Sequence, residues 1–165
     1  MDRIWHCTSP FGVLTLASDG KALTGLWFDF QRHFASTLTK DHREEELPLF
    51  RETEKWLNAY FCGAPLPQPP PVSFRGTPFQ KCVWQKLLEI PYGETLTYGE
   101  LAFRIAKEQG MKHLSAQAVG NAVARNPVSL IVPCHRVVGK NGALVGYAAG
   151  VEIKRKLLEL EKEHK

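Results

Sequence analysis

Cysteine is scarce in this chain of 165 residues. There are four, at positions 7, 62, 82 and 134, and no two of them form a Cys-x-x-Cys pair. The histidines near them complete no metal-ligand spacing, so a zinc-ribbon reading is excluded, and in a reducing compartment all four are free thiols. Long apolar runs are also missing, since none reaches the ~18 residues of a membrane-spanning helix. The opening residues, Met1-Asp2-Arg3-Ile4-Trp5-His6, lack the basic-then-apolar order of a secretory leader. The expectation is a cytoplasmic protein with no membrane partner. Internal repeats and low-complexity tracts are absent, which excludes solenoids and biased linkers. What remains is 44% hydrophobic and 23% charged residues, a globular balance that leaves no room for a disordered or collagen-like chain.

Charge is unevenly spread. Residues 1–75 hold eight Lys and Arg against nine Asp and Glu, whereas residues 76–165 hold thirteen against eight. Between positions 103 and 140, Arg104, Lys107, Lys112, Arg125, Arg136 and Lys140 face Glu108 alone. Such a segment fits a polyanion partner, with DNA the obvious candidate, and fits a solvated basic face equally well.

The first half reads as mixed strand and helix. Two apolar runs, Phe11 to Ala17 and Ala22 to Phe30, are joined by Ser18-Asp19-Gly20-Lys21, which is hairpin chemistry. Apolar spacing predicts a helix over Pro48 to Phe61, stopped at Gly63. The proline cluster from Ala64 to Pro71 cannot continue a helix or a central strand, and we place the domain boundary just after it, near residue 75. In the second half, Thr77-Pro78 opens a helix to about Glu89. Thr97-x-x-Glu100 reads as a capping box for a helix over Tyr98 to Gln109, and Ser115 caps a third helix running to about Arg125. The last two resemble a helix-turn-helix, although ordinary helical packing would give the same pattern. Val128 to Val132 reads as a buried strand running into Pro133-Cys134-His135-Arg136, and a final helix starts near Val151 with Ile153, Leu157, Leu158 and Leu160 on its apolar side.

Cys134 stands apart from the other cysteines. It follows a proline and precedes a histidine and an arginine. A cysteine attacks as thiolate, and neighbouring His or positive charge raises the thiolate fraction. Successive strand residues point to opposite faces, so Cys134 and His135 pair directly only if the chain turns here; otherwise a water must bridge them. Glu161 is a candidate to orient the imidazole. A structural thiol beside an incidental histidine would look the same locally.

Asn126-Pro127, an apolar stretch and then Pro133-Cys134-His135-Arg136-Val137 resemble the active-site signature of the O6-alkylguanine-DNA alkyltransferases. Tyr98, Gly146-Tyr147, Glu161, the hairpin region from Asp2 to Gly20 and the segment Phe79-x-x-x-Val83-Trp84 extend the resemblance over essentially the whole chain. It implies an α/β (α+β) fold with a small ribonuclease-H-like domain over 1–75 and a helical, winged-helix-like (helix-turn-helix) DNA-binding and alkyl-acceptor domain over 76–165. It implies irreversible transfer of a methyl or alkyl group from O6-alkylguanine, and from O4-alkylthymine, to Cys134, once per molecule and without cofactor or metal. Glu161, His135 and a water would make the thiolate, Tyr98 would protonate the leaving guanine, and Asn126 would brace the turn. Tyr147 and Val137 would line the guanine pocket, with Val145 and Ser129 on its alkyl side. The partner would be double-stranded DNA, bound by a monomer through the minor groove with base flipping. Ala116, Gln117, Ala118, Arg125 and Arg136 would be on the DNA side.

Two features depart from the pattern. Most members place an arginine on the second helix where this chain has Gln117. Some carry zinc on cysteines and histidines of the first half, and here Cys7, Cys62, His6, His33 and His42 offer the residue types without the spacing. Two rival functions remain distinct: an alkyltransferase-like protein that binds lesions without chemistry, and a cysteine hydrolase, for which no nucleophile-elbow pattern is present.

Overall fold

A computed structural model describes residues 1–165. The chain forms two compact units, one of Met1–Arg75 with Pro127–Ile131 and His164, the other of Gly76–Asn126 and Val132–Glu163 with Lys165.

In the first unit, strands β1 (Asp2–Ser9), β2 (Gly12–Ser18), β3 (Leu23–Phe28) and β4 (His42–Glu44) form a sheet ordered β3-β2-β1-β4. The β1–β2 and β2–β3 pairs are antiparallel, and β4 lies parallel to β1 with Asp2 opposite His42. Helix α1 (Pro48–Cys62) packs on β1 and buries Phe50, Trp56, Leu57 and Tyr60, joining a core of Leu14, Leu16, Leu26 and Phe28. Proline begins α1, and Gly63 ends it with φ 70°, a left-handed cap that closes on the carbonyls of Ala59 and Tyr60.

The outer edge of β3 is capped twice. Leu23 exchanges hydrogen bonds with Pro71 and Ser73, and Leu26 with Pro127 and Ser129. The expected strand over 128–132 is therefore not formed: Val128 makes one isolated bridge to Leu26 and the chain then turns. Pro127 has no N–H to extend a ladder, and Leu130 takes φ 72°, a conformation that a non-glycine residue adopts only when its surroundings impose it.

The second unit contains α2 (Pro78–Leu87), β5 (Leu96–Thr97), α3 (Tyr98–Gln109), α4 (Ala116–Ala124), β6 (Val137–Val138) and α5 (Val151–Glu163). Thr77 and Gln80 form a full capping box on α2. At α3 the box is half made. The Thr97 hydroxyl accepts from the Glu100 N–H at 3.0 Å, while the Glu100 carboxylate meets that same hydroxyl, because Thr97 is also the last residue of β5. Helices α2, α3 and α4 pack on one another, and the Trp84 indole donates to the Ala122 carbonyl at 2.8 Å. Six residues separate α3 from α4, a long connection for a helix-turn-helix pair. The strand of this region is Val137–Val138, parallel to β5 and beyond the cysteine instead of before it.

The first unit is also held by charge. Asp2 is buried and takes both arms of the Arg75 guanidinium, at 2.7 and 2.8 Å, while Thr39 N–H donates to its carboxylate. Arg75 reaches on to the Thr37 carbonyl, so one pair ties the N-terminus to the loop before β4. The guanidinium hydrogen bonds hold the Asp2 carboxyl well below the usual range against the opposing effect of burial. We expect Arg75→Ala to destabilise the first unit by about 2 kcal/mol, less than for a fully enclosed pair because the arginine is a third exposed. Thermal unfolding of the variant against wild type measures it.

Candidate active site

Cys134 lies in a single 3-10 turn, Cys134–Arg136, entered through Pro133. The turn follows from local hydrogen bonds. The Cys134 N–H closes on the Val132 carbonyl at 2.8 Å, and the Arg136 N–H on Pro133 at 3.0 Å. The Asn126 amide donates to the Val132 carbonyl at 2.9 Å, bracing the same corner from the end of α4. Because the chain turns here, the alternation that would keep Cys134 and His135 on opposite faces does not apply.

Behind the turn lies a buried ionic cluster. His135 Nε2 and Glu161 Oε2 are 2.6 Å apart, and both side chains are buried. Arg136 grips the same carboxylate through Nε at 2.8 Å and Nη2 at 3.1 Å, and sends Nη1 to the Ile90 carbonyl at 2.7 Å. The Gly93 N–H adds a fourth contact to Oε1 at 3.0 Å. Burial works to raise the Glu161 pKa, but His135 and the Arg136 fork outweigh it and hold the carboxyl ionised. A carboxylate only accepts, so the His135 proton sits on Nε2 and Nδ1 is the basic nitrogen of the ring.

Burial pushes the Cys134 thiol up, with the Asn126 amide and the charge of Lys154 pulling back. Burial also lowers His135, against the pull of Glu161. At rest the pair is thus a thiol and a neutral imidazole. An enclosed site of this kind disfavours a standing thiolate, so a thiolate here has to be made by proton transfer to a base. Cys134 is 6% exposed, so only a group entering the site meets the sulfur.

Tyr98 opens α3 and donates its hydroxyl to the Val145 carbonyl at 3.2 Å; burial and the neighbouring cysteine push its pKa up to about 12. Tyr147 packs edge-on to His135 with ring centroids 6.5 Å apart, and its buried hydroxyl has no hydrogen-bond partner. Val137 is buried in β6, and the Val145 side chain is 49% exposed. Ser129 belongs to the first unit, where its hydroxyl bonds Gln31 at 3.2 Å. On α4, Ala116 and Gln117 are exposed and Ala118 is half-buried, and Arg125, which caps its C-terminus, is exposed.

Arg136 does not stand where the charge pattern put it. It is 7% exposed and fully engaged with Glu161, Ile90 and the face of Tyr92, so this cation serves the interior and not a DNA surface. Sequence reasoning also missed the Gly93 N–H, which no side-chain pattern could reveal, and Lys154. Helix α5 buries Lys154, Leu157 and Glu161, so its inward face carries two charges and is rotated from the predicted apolar stripe. The spacing 154, 157, 161 is a helical face and was the available signal. Of the zinc candidates, His6 bonds Thr15 and His42 bonds the Thr39 carbonyl, and no three His, Cys, Asp or Glu side chains are grouped to hold a metal.

A buried cysteine turn backed by a histidine–carboxylate pair, on a helical unit, is the arrangement that a thiol nucleophile would need. Residues 78–163 match the DNA-binding domain of the 6-O-methylguanine DNA methyltransferases, and residues 6–74 match their ribonuclease-like domain. The chain belongs to this family. It is 42% identical over 159 residues to the methylated-DNA--protein-cysteine methyltransferase of Haemophilus influenzae, covering 93% of this chain and 83% of that one. The crystal structure of the Mycobacterium tuberculosis O6-methylguanine methyltransferase superposes with a TM-score of 0.86 at 42% identity, covering 100% of this chain and 95% of that one. The M. tuberculosis protein in complex with DNA gives 0.84 at 43% identity, with 99% and 93% covered. No helix of this chain is long and apolar enough to cross a membrane.

Replacing Glu161 by Gln leaves Arg136 buried without its anion, and we expect a loss of about 3–5 kcal/mol. The native carboxyl titrates below its unfolded value of about 4.3. Its contribution to stability is therefore complete above that value and drains away as pH falls below it. Urea unfolding across the acid range checks both, with the variant showing a shallower acid slope than wild type.

Proposed function

We propose that this protein repairs alkylated DNA by direct reversal, taking the methyl group of O6-methylguanine onto Cys134 in one irreversible step. The observation that carries the reading is the cysteine turn backed by the buried His135–Glu161 pair, in a chain of this family. Cys134 passes its proton to His135, directly or through a water, and Glu161 stabilises the imidazolium. The thiolate attacks the methyl carbon, the S–C bond forms, and the C–O6 bond breaks with its electron pair leaving on guanine. Tyr98 supplies the proton to that guanine and recovers one from the relay. A neutral thioether remains. It is a poor leaving group at neutral pH, so each molecule reacts once.

Duplex DNA hides O6 within the stack, so the nucleotide must leave the helix, at a cost of a few kcal/mol. Helix α4 suits the shallow sequence code of the minor groove, with Ala116 and Ala118 permitting close approach and Arg125 at its C-terminal end meeting phosphate. Gln117 would face the space left by the flipped base, where an amide hydrogen-bonds but neither stacks nor carries charge as a guanidinium would. The protein acts as a monomer, in the cytoplasm, and O4-alkylthymine is a second substrate of the same chemistry.

Intact-protein mass spectrometry after incubation with duplex DNA bearing one O6-methylguanine tests the reading. We expect one methyl gained at Cys134 in wild type and none in Cys134→Ser. Tight lesion binding with no methyl gained would make this a damage-recognition protein, and many turnovers per molecule would make it a hydrolase. Gln117→Arg should raise lesion affinity and single-turnover rate several-fold, read by quench-flow kinetics with the same duplex.

A further inference from the structure

The chain approaches Cys134 through an excursion. Pro127–Ile131 is grouped with the first unit, although its neighbours in sequence, Asn126 and Val132, belong to the second. The neck of the excursion is closed by the Asn126 amide on the Val132 carbonyl, which also takes the Cys134 N–H. Its tip is held by β3, where Leu26 exchanges two hydrogen bonds with Pro127 and Ser129.

Two three-residue turns lie between that tip and the cysteine. The Ile131 N–H closes on the Ser129 carbonyl at 2.9 Å around Leu130, whose φ of 72° is that of the strained γ-turn. The Cys134 N–H closes on Val132 around Pro133, at φ −82° and ψ 63°, which is the relaxed inverse form. A strained turn persists only where its surroundings over-determine it. At Leu130 the constraint comes from the residues before it, which are fixed to β3.

Gln31 supplies the part of that constraint that the backbone ladder does not. Its side chain is buried, and Oε1 accepts from both the Phe28 N–H at 2.9 Å and the Ser129 hydroxyl at 3.2 Å. A carbonyl oxygen has two lone pairs, and both are used. The Gln31 N–H bonds the Phe28 carbonyl at 3.0 Å, so the residue cannot swing away without opening the end of β3. The result is a side-chain clamp on the residue immediately before the strained turn.

We propose that Gln31 is a positioning residue for Cys134, holding the Leu130 turn through Ser129 and so fixing where the reactive turn sets the thiol. This rests on the proposed role of Cys134 as alkyl acceptor. Gln31 acts through the chain alone and exchanges no proton. A small displacement of the sulfur from the line of attack is enough to slow a transfer steeply.

Two variants test this, each compared with wild type well below its melting temperature. Gln31→Ala removes both bonds, while Ser129→Ala cuts only the tie to the excursion and leaves Gln31 on the end of β3. With saturating duplex bearing one O6-methylguanine, each should take up the methyl group about tenfold more slowly, with duplex affinity unchanged. The double variant should be no slower than Gln31→Ala, because both changes cut the same tie. In the free protein, carboxamidomethylation of Cys134 by iodoacetamide, followed by peptide mapping, should be several-fold faster, since a released turn no longer encloses the sulfur. A wild-type rate of either transfer or labelling in both variants, whatever their melting temperatures, would overturn the proposal and leave Gln31 a brace of the sheet alone. A loss of rate that saturating DNA restores would overturn it too. The iodoacetamide measurement needs no DNA, so it reads the clamp even where wild type takes up no methyl group, the outcome that defeats the repair reading.

Discussion

The second unit is organised around one buried carboxylate. Glu161 meets His135, two nitrogens of Arg136 and the Gly93 N–H, contacts that come from the cysteine turn and from the loop after α2. An ionised carboxylate without partners in such a place would be untenable, so burying it obliges the last helix, the cysteine turn and the loop after α2 to meet in one arrangement. The geometry of the reactive turn follows. Rotating His135 away would cost the carboxylate its shortest contact, so the imidazole is held in one tautomer.

Reactivity in this site is conditional. Enclosure raises the thiol and lowers the imidazole, so neither is ionised before a substrate enters. That suits a protein that reacts once, because a standing thiolate would be open to oxidation or to stray electrophiles. The Asn126 amide and the charge of Lys154 both pull the thiol back down against burial.

The cations of the basic segment divide between two tasks. Arg104, Lys107, Lys112, Arg125 and Lys140 remain exposed and supply the charge that favours a polyanion, while Arg136 is drawn inside to neutralise Glu161. A count of charges along the chain treats all six alike. On α4 itself the exposed face carries Gln117 and Asn121 and no charge before Arg125, so the helix would meet DNA through amides and small side chains while phosphate contacts lie at its ends.

Much of this protein was legible in its residues. Capping residues, proline at helix starts and glycine at helix ends located α1, α2, α3 and α4 closely, because those signals act within a single turn of chain. The Pro133-Cys134-His135-Arg136 run singled out the proposed reactive cysteine, since the proposed nucleophile and its base are neighbours in sequence. The features that no local pattern revealed depend on contacts between distant segments. The apolar run at 128–132 bridges β3 once and turns, because its hydrogen-bond partners lie about a hundred residues away at Leu26. Arg136 faces inward, and Lys154 and Glu161 occupy the buried side of α5, because paired or solvated charge looks the same in a sequence and only the packed surroundings determine which side chains lose water.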